Sequence, residues 1–342
     1  MMNNLSQLNT SNSSLQTADC IAEAQHISLT VFITLVFMVG FCLNGFSLWV
    51  FCCRMPHWNS GTVLQFHLAL SDALATPATI MAAVYFANDS SWPFGRFLCQ
   101  VKIGLLSAHF YGSTLFLMLI SIHRYVVVVH FNRSSLMKQK TFVKKLCGGI
   151  WIFLLAKGII YANLLPSSTE KSRRVQCLTI HQEKLVDAYF VINFILFIVG
   201  FLLPFSVSAA CYGLLASSVS QINPSTAHGP AVKSKSLRMI AVCLLIFGLC
   251  FLPLNVTRTI GVVVKRFYSD SCDVLRRVET AYYVSWILGG VNCCLDPLIY
   301  FFGSNNFRRM IWRSLKISRE ENRNESETIS QTGRRVVINN GT

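Results

Sequence analysis

Residues 239–264 read MIAVCLLIFGLCFLPLNVTRTIGVVV, an apolar run that holds one proline, Pro253, and one cation, Arg258. About 20 mostly apolar residues are enough to cross the hydrocarbon core of a bilayer as a helix. Because proline removes a backbone hydrogen bond, Pro253 should kink that helix. A cation within a membrane segment is costly, so Arg258 should have a function or extend to the interface. The stretch therefore predicts a kinked membrane helix and makes Arg258 a candidate functional residue.

The whole chain has the composition of a membrane protein. Of its 342 residues, 53% are hydrophobic and 13% are charged, and the charged fraction is about half that of a soluble domain. The sequence contains no internal repeat of the kind that would indicate a transporter. The fold class predicted is an all-α membrane protein, a seven-transmembrane helix bundle. Its seven apolar blocks lie at about 27–53, 62–87, 98–129, 142–165, 187–216, 238–264 and 278–302.

The basic residues indicate how the chain crosses the membrane. Residues 1–53 contain no Lys or Arg, so there is no positive segment typical of a cleaved signal peptide. Cations follow blocks three, five and seven, in NRSSLMKQKTFVKK, KSKSLR and FRRMIWRSLK. The positive-inside rule then predicts a multi-pass plasma-membrane protein with an extracellular N-terminus. Four glycosylation sequons on the outer side agree with this orientation: Asn4, Asn9, Asn12 and Asn88.

The net charge of +15 does not require nucleic acid as a partner. Much of it lies beside the membrane on the predicted inner side, where anionic lipid headgroups attract it. Of the 13 cysteines, nine lie in apolar blocks and are expected to be packing residues. The other four lie on the outer side and predict two disulfides, for which the residues alone allow three pairings: Cys20, Cys99, Cys177 and Cys272.

Polar, proline and aromatic residues occur within the seven blocks in a fixed order. Over about residues 28–316, this order resembles the rhodopsin-like G-protein-coupled receptors. The matching residues, block by block, are Asn44; LALSD with Asp72; HRY (His123, Arg124, Tyr125); Trp151; Pro204 and Tyr212; FGLCFLP with Pro253; and NCCLDPLIY with Asp296 and Tyr300. The resemblance implies a receptor and not an enzyme, with a heterotrimeric G protein, arrestin and receptor kinases as partners.

The resemblance also assigns switch residues. Arg124 and Tyr125 are implied to contact the G protein, and Tyr212 and Tyr300 to move toward Arg124 on activation. Pro253 is the implied hinge of the sixth helix. Phe251 is either the rotamer switch below this hinge or ordinary aromatic packing, and Arg124 is otherwise a snorkelling side chain. His123 replaces the usual acidic neighbour of Arg124, which weakens the local ion-pair lock.

Two carboxylates, with hydroxyl and amide oxygens, lie near the middle of the blocks and suit a hard cation. By resemblance this is an allosteric sodium site, made of Asp72, Ser113, Asn292, Asp296 and Asn44. The alternative is a water-filled polar network or a protonated pair. No other metal or cofactor is expected. The resemblance further implies that Cys99 pairs with Cys177, and Cys20 with Cys272.

The outer half of block six points to an anionic ligand. Phe251, Leu254, Asn255 and Arg258 lie on one helical face, and a guanidinium matches phosphate or carboxylate. Alternatively, Arg258 snorkels or pairs with Asp187 or Glu279. Lys157 in block four either reaches the same pocket or snorkels. The ligand-binding candidates are Arg258, Asn255, Phe251, Leu254, Lys157, Trp286 and Tyr283.

WPFG, HRY, DPLIY and the sixth block resemble the metabotropic purinergic (nucleotide) receptors within this family. Three positions depart from that branch: Asn255 stands where it generally has histidine, and Ile103 and Trp286 stand where it has arginines. Since one arginine cannot compensate for desolvating a triphosphate, the prediction is a small anionic extracellular ligand. A carboxylate or an anionic lipid mediator is the alternative to a nucleotide, and an orphan constitutive receptor also stays open.

The domain boundaries follow from these assignments. Residues 1–26 form an extracellular N-terminus, 27–302 the bundle, 303–316 an amphipathic eighth helix and 317–342 a disordered cytoplasmic tail. Two other classes of protein are weighed. A transporter would show repeat symmetry or broken helices. An intramembrane hydrolase needs a catalytic constellation, which Asp72 and Asp296 only imitate.

Overall fold

The computed structural model describes residues 27–88, 91–129, 135–164, 177, 186–221, 229–268 and 271–314, and every regular element in them is a helix. We number the long helices α1 to α8. They are α1 Thr30–Arg54, α2 Ser60–Ala87, α3 Gly95–Val128, α4 Lys140–Leu164, α5 Val186–Ser220, α6 Lys233–Phe267, α7 Cys272–Gly303 and a short α8 at 305–314. In α1 and α6 regular helix begins slightly earlier, at Ile27 and Gly229.

Helices α1 to α7 form the predicted seven-helix bundle. Six of the described helices are long and apolar enough to cross a membrane, and α4, with 25 residues, is about 37 Å long at 1.5 Å per residue. α3 lies at the centre and packs against α2, α4 and α5. Only 28% of the apolar window of α1 and of α5 is buried, so their remaining apolar side chains face lipid.

Two widened helical turns inside long helices lie just before prolines, and a third, Val50–Arg54, ends α1 before Pro56. Residues Ile198–Leu202 precede Pro204, and Ile246–Phe251 precede Pro253. In the second turn the N–H of Leu252 donates to the carbonyl of Phe247, five residues back. Proline has no N–H to offer and its ring crowds the preceding turn, so the chain takes up one extra residue there. This turn sets where the residues of the outer half of α6 point.

The end of the bundle that is predicted to lie outside the cell, which we call the outer end, is covalently tied. Cys99 at the start of α3 is bonded to Cys177, with a Cα–Cα distance of 5.7 Å, so this predicted pairing is confirmed. Cys272 is also disulfide-bonded. Cys20 lies outside the described residues, and its pairing with Cys272 stays a prediction. Of the glycosylation candidates, Asn88 is exposed at the end of α2, and Asn4, Asn9 and Asn12 lie outside the described residues.

The opposite end of the bundle, which we call the inner end, is closed by α8. Phe307 of α8 is 1% exposed, and its ring centroid lies 4.9 Å from that of Phe51 and 5.9 Å from that of Tyr300. Arg308, Arg309 and Arg313 are exposed. The helix is therefore amphipathic, as predicted, and it packs on α1 and α7 through its apolar side.

Candidate functional site

A cavity of about 170 Å³ lies in the outer half of the bundle. Side chains of α2 to α7 line it, together with the disulfide residue Cys177. All seven residues predicted to bind the ligand line this one cavity: Lys157, Phe251, Leu254, Asn255, Arg258, Tyr283 and Trp286. The wide turn and Pro253 thus direct the predicted face of α6 inward.

Arg258 is held at the cavity wall by two side chains. Its Nη1 donates to the hydroxyl of Tyr111 at 2.5 Å, and its Nη2 donates to Oδ1 of Asn255 at 3.3 Å. Its Nε is buried and has no hydrogen-bond partner among the described residues. Asp187, weighed as an alternative partner, instead accepts from Arg266 at 2.6 Å. Arg258 therefore lines the cavity and retains one donor that none of the described residues uses.

Lys157 of α4 reaches the same place. Its side chain is 8% exposed, its Nζ lies 3.7 Å from the ring centroid of Tyr111, and it donates to the Ser107 hydroxyl. A cation over a tyrosine ring is attracted by the negative face of the ring. Lys157 thus turns inward, and one tyrosine contacts both cations.

Tyr111 is fixed by α5. A Cβ built on Gly200 would lie 2.5 Å from Cδ1 and Cε1 of the Tyr111 ring, so the ring requires glycine at position 200. Thr114 donates to the Gly200 carbonyl at 3.0 Å, which holds α3 and α5 together beside the ring. Gly200 belongs to the widened turn of α5.

A third cation, Lys102 of α3, lines the cavity on the side of α2. Its Nζ lies 5.1 Å from the ring centroid of Tyr85 and 4.9 Å from that of Trp92. Sequence reasoning missed Lys102, although its position three residues after Cys99 places it on the face of α3 that begins at the disulfide. It also missed Tyr111, Tyr189 and Tyr282, which line the cavity.

The remaining wall is aromatic. Trp286 lies 6.4 Å from Phe86 between ring centroids, and Phe86 lies 5.2 Å from Tyr283 in an edge-to-face arrangement. The Tyr283 hydroxyl donates to Glu279 at 3.3 Å. Ile103 also lines the cavity. Positions 103 and 286 thus present apolar surface, and the charge comes from α3, α4 and α6.

The predicted sodium residues meet deeper in the bundle. Ser113 donates to Oδ1 of Asp72 at 2.9 Å, and Asn292 contacts Oδ2 of Asp296 at 3.5 Å. Asp72 Oδ2, Asn292 Oδ1 and Asp296 Oδ1 are buried, with no hydrogen-bond partner within the part of the chain described. Unpartnered oxygens of this kind fit a small hard cation.

Two neighbours modify this polar centre. His109, which sequence reasoning missed, places Nδ1 3.3 Å from Asp72 Oδ1, and both side chains are fully buried. Asn44 donates to the carbonyls of Gly40 and Cys293, and its Oδ1 accepts from Tyr300 at 3.4 Å. Asn44 therefore ties α1 to α7, while His109 occupies one side of the Asp72 carboxylate.

The inner ends of the helices hold the residues that are predicted to contact the G protein and to act as a switch. Arg124 donates to the Gly303 carbonyl at the end of α7, and His123 is hydrogen-bonded to Ser60 at 2.9 Å. Tyr212 donates to Cys243 at 2.9 Å. Tyr212 and Tyr300 therefore bind other partners here, and Arg124 is held by a backbone carbonyl. Tyr125 is half-buried on the next position of α3.

Comparison with known proteins identifies the family to which the chain belongs. The family model described as "7 transmembrane receptor (rhodopsin family)" matches residues 43–300. The chain is 33% identical to human purinoceptor 2 over 293 residues, which cover 83% of this chain and 75% of the relative. It is 34% identical to human purinoceptor 4 over 288 residues, 83% of this chain and 77% of the relative. Chicken purinoceptor 1 is 28% identical over 318 residues, 91% of this chain and 84% of the relative. The chain therefore belongs to the rhodopsin family of seven-transmembrane receptors, in the group of these purinoceptors.

Proposed function

We propose that this chain is a G-protein-coupled receptor of the plasma membrane whose outer cavity binds an extracellular nucleotide. The observation that carries the proposal is the meeting of three cations, Lys102, Lys157 and Arg258, in one aromatic-walled cavity. A phosphate chain needs several positive partners. Aromatic rings such as Trp286 and Tyr283 offer faces on which a flat base stacks. Relatives at 33% and 34% identity are named purinoceptors, which supports the same ligand class.

A small carboxylate or an anionic lipid mediator is the second candidate. It is favoured by the apolar side chains at Ile103 and Trp286. Because these two positions carry no charge, the cations among the described lining residues lie on α3, α4 and α6. A less charged ligand would use Arg258 and Lys157 and leave Lys102 without a role. Lys102 therefore distinguishes the two candidates.

The test is a calcium and cAMP response in cells that express the chain, challenged with nucleoside triphosphates, nucleoside diphosphates, nucleotide sugars, monocarboxylates and anionic lipids. Arg258→Ala and Lys157→Ala should each lower potency about 10- to 100-fold, since a hydrogen bond to a charged group contributes about 1.5–3 kcal/mol. Arg266→Ala is the matched control, because Arg266 is on the same helix but pairs with Asp187.

Lys102→Ala should lower the potency of a nucleoside triphosphate more than that of a nucleoside diphosphate. A receptor silent to every nucleotide and responsive to a monocarboxylate or a lipid refutes the nucleotide proposal. Unchanged potency in Arg258→Ala removes that residue as the anchor. If no tested ligand changes the response and signalling is already high without ligand, the chain would be a constitutive receptor.

Ligand binding is proposed to shift a population between two states of the bundle. We assign to the inactive state the arrangement seen here, in which Arg124 donates to the Gly303 carbonyl. In the active state α6 tilts about Pro253 and Arg124 is released to a heterotrimeric G protein. Arrestin and receptor kinases are proposed to bind the same inner face and the tail at 317–342. The N-terminus is proposed to lie outside.

We further propose that a sodium ion binds between Asp72, Ser113, Asn292 and Asp296. The support is the set of three buried oxygens that lack partners within the described residues. A bound sodium ion would supply positive charge between two carboxylates. Ser113 orients the Asp72 carboxylate, and Asn44 holds α7 against α1 beside it.

A further inference from the structure

Two adjacent cysteines near the end of the first membrane helix have their side chains on the surface of the bundle. Among the described residues, the exposed free thiols are Cys42, Cys52 and Cys53, so these three do not pack inside the bundle as the sequence predicted. Cys52 and Cys53, which we call the thiol pair, belong to the widened turn Val50–Arg54 at the inner end of α1. None of the roles described above uses them.

The direction of the thiol pair is fixed by the residues on either side of it. Val50 and Phe51 are fully buried, and the Phe51 ring centroid lies 4.9 Å from that of Phe307 and 5.7 Å from that of Tyr300. After the pair, the N–H of Met55 donates to the carbonyl of Val50 at 3.1 Å, and Met55 is also buried. Because both ends of the turn are anchored inward, the two thiols between them are turned away from the bundle.

The thiol pair lies at the surface of the membrane. Arg54 follows it directly, and its guanidinium lies 4.9 Å from the Trp49 ring centroid, an aromatic–cation pair typical of the headgroup level. Phe46 and Trp49, on the turns before the pair, are 39% and 38% exposed, so apolar surface extends from the thiols into the bilayer. Cys42 lies about 15 Å deeper, at 1.5 Å per residue. The pair therefore meets both an aqueous reagent and the lipid chains, and Cys42 meets only the lipid.

We propose that Cys52 and Cys53 are S-acylated with a long-chain fatty acid, with an acyl-coenzyme A as the donor. Cysteines beside a membrane span are acceptors of this modification. The thiol loses its proton, and its sulfur attacks the thioester carbonyl carbon of the donor. The bond from that carbon to the sulfur of coenzyme A then breaks, and coenzyme A leaves with the proton. One thioester replaces another, so nothing is oxidised or reduced.

The attached chain would anchor the inner end of α1 to the membrane. It would lie along the exposed apolar side of α1, beside Trp49 and Phe46. Because Phe51 packs on Phe307, the same anchor would hold α8 at the membrane surface, and residues 295–342 contain no cysteine through which α8 itself could be acylated. The inference rests on the orientation proposed above, in which this end of α1 faces the cytoplasm and its acyl-coenzyme A.

The test uses the full chain expressed in mammalian cells. Free thiols are blocked with N-ethylmaleimide, thioesters are cleaved with neutral hydroxylamine, and the thiols so released are labelled with maleimide-polyethylene glycol, which slows the protein in gel electrophoresis. The wild-type chain should gain adducts that require hydroxylamine, and the double variant Cys52→Ser/Cys53→Ser should lose all of them. Cys42→Ser is the matched control, because Cys42 is an exposed thiol on the same helix at a depth that the donor does not reach.

A second measurement separates the site from the orientation. An epitope tag at the N-terminus, labelled on intact cells, reports which side of the membrane it occupies and whether the double variant reaches the cell surface. Because both serines replace exposed side chains, we expect normal surface labelling of the double variant.

Adducts that persist in the double variant, or that disappear in Cys42→Ser, would overturn the proposal. A wild-type chain without hydroxylamine-dependent adducts, in cells where the tag is labelled from outside, would overturn it as well. A tag that is reached only after permeabilisation would refute the orientation and, with it, the site. Neither measurement uses an extracellular ligand. Failure here therefore differs from failure of the nucleotide proposal.

Discussion

Replacement of Gly200 by alanine tests how the two pocket cations are positioned. The new Cβ would lie 2.5 Å from the Tyr111 ring, and the ring would have to move by about 0.9 Å to restore an ordinary contact of 3.4 Å. If the whole shift lay along the 2.5 Å bond to Arg258, it would lengthen that bond to about 3.4 Å, beyond normal hydrogen-bond length. Overpacking costs about 1–3 kcal/mol. We expect a lower melting temperature and about a tenfold loss of ligand potency, without any change in charge.

The assay is agonist potency in cells, normalised to surface expression, together with thermal unfolding of the purified receptor. Gly213→Ala is the control, because no atom lies within 4 Å of a Cβ at that position on the same helix. In the double variant Gly200→Ala/Tyr111→Ala the clash is gone, so the two losses should not add. Full potency in Gly200→Ala, or additive losses in the double variant, would refute the argument that Tyr111 places the cations.

Three further predictions concern the inner end, the polar centre and the outer bridge. Gly303→Ala should raise ligand-free G-protein activation, because its Cβ would lie 2.6 Å from Arg124 Nη2. Gly45→Ala, with open space around its Cβ, should leave that activation unchanged. No rise in Gly303→Ala would contradict the argument that the bond to Gly303 restrains Arg124. Asp72→Asn should abolish any sodium-dependent rise in melting temperature, measured against potassium at equal ionic strength. A wild-type receptor indifferent to sodium would contradict the proposed ion. Cys177→Ser should lower stability by about 2–5 kcal/mol and reduce surface expression, checked by antibody labelling of intact cells; normal labelling and melting would contradict a structural role.

The bundle was predictable because bilayer thickness sets a simple length rule. Each apolar block coincides with one long helix, and the Cys99–Cys177 bridge followed from family resemblance. The inward face of α6 was also predictable, since Phe251, Leu254, Asn255 and Arg258 follow the spacing i, i+3, i+4 and i+7 from the last residue of the wide turn outward. The helices and the inward face of α6 depend on local spacing within one segment.

The parts that escaped prediction depend on contacts between helices. Tyr111 looks like any aromatic residue of an apolar block, and its role is visible only because Gly200 lets its ring approach α5. Lys102 sits near the start of block three, where a snorkelling cation is ordinary. His109 gives no local signal either, since its partner Asp72 lies on another helix. Spacing along one helix carries no information about such neighbours.

The position of Tyr111 has a mechanical consequence. Its hydroxyl accepts from Arg258, its face receives Lys157, and its edge rests on Gly200 in the widened turn of α5. A single ring is thus in contact with three helices besides its own. An anion that drew Arg258 toward itself would also displace the surface on which α5 rests, four residues before Pro204. Occupancy of the pocket would thereby be converted into a change of fit between helices.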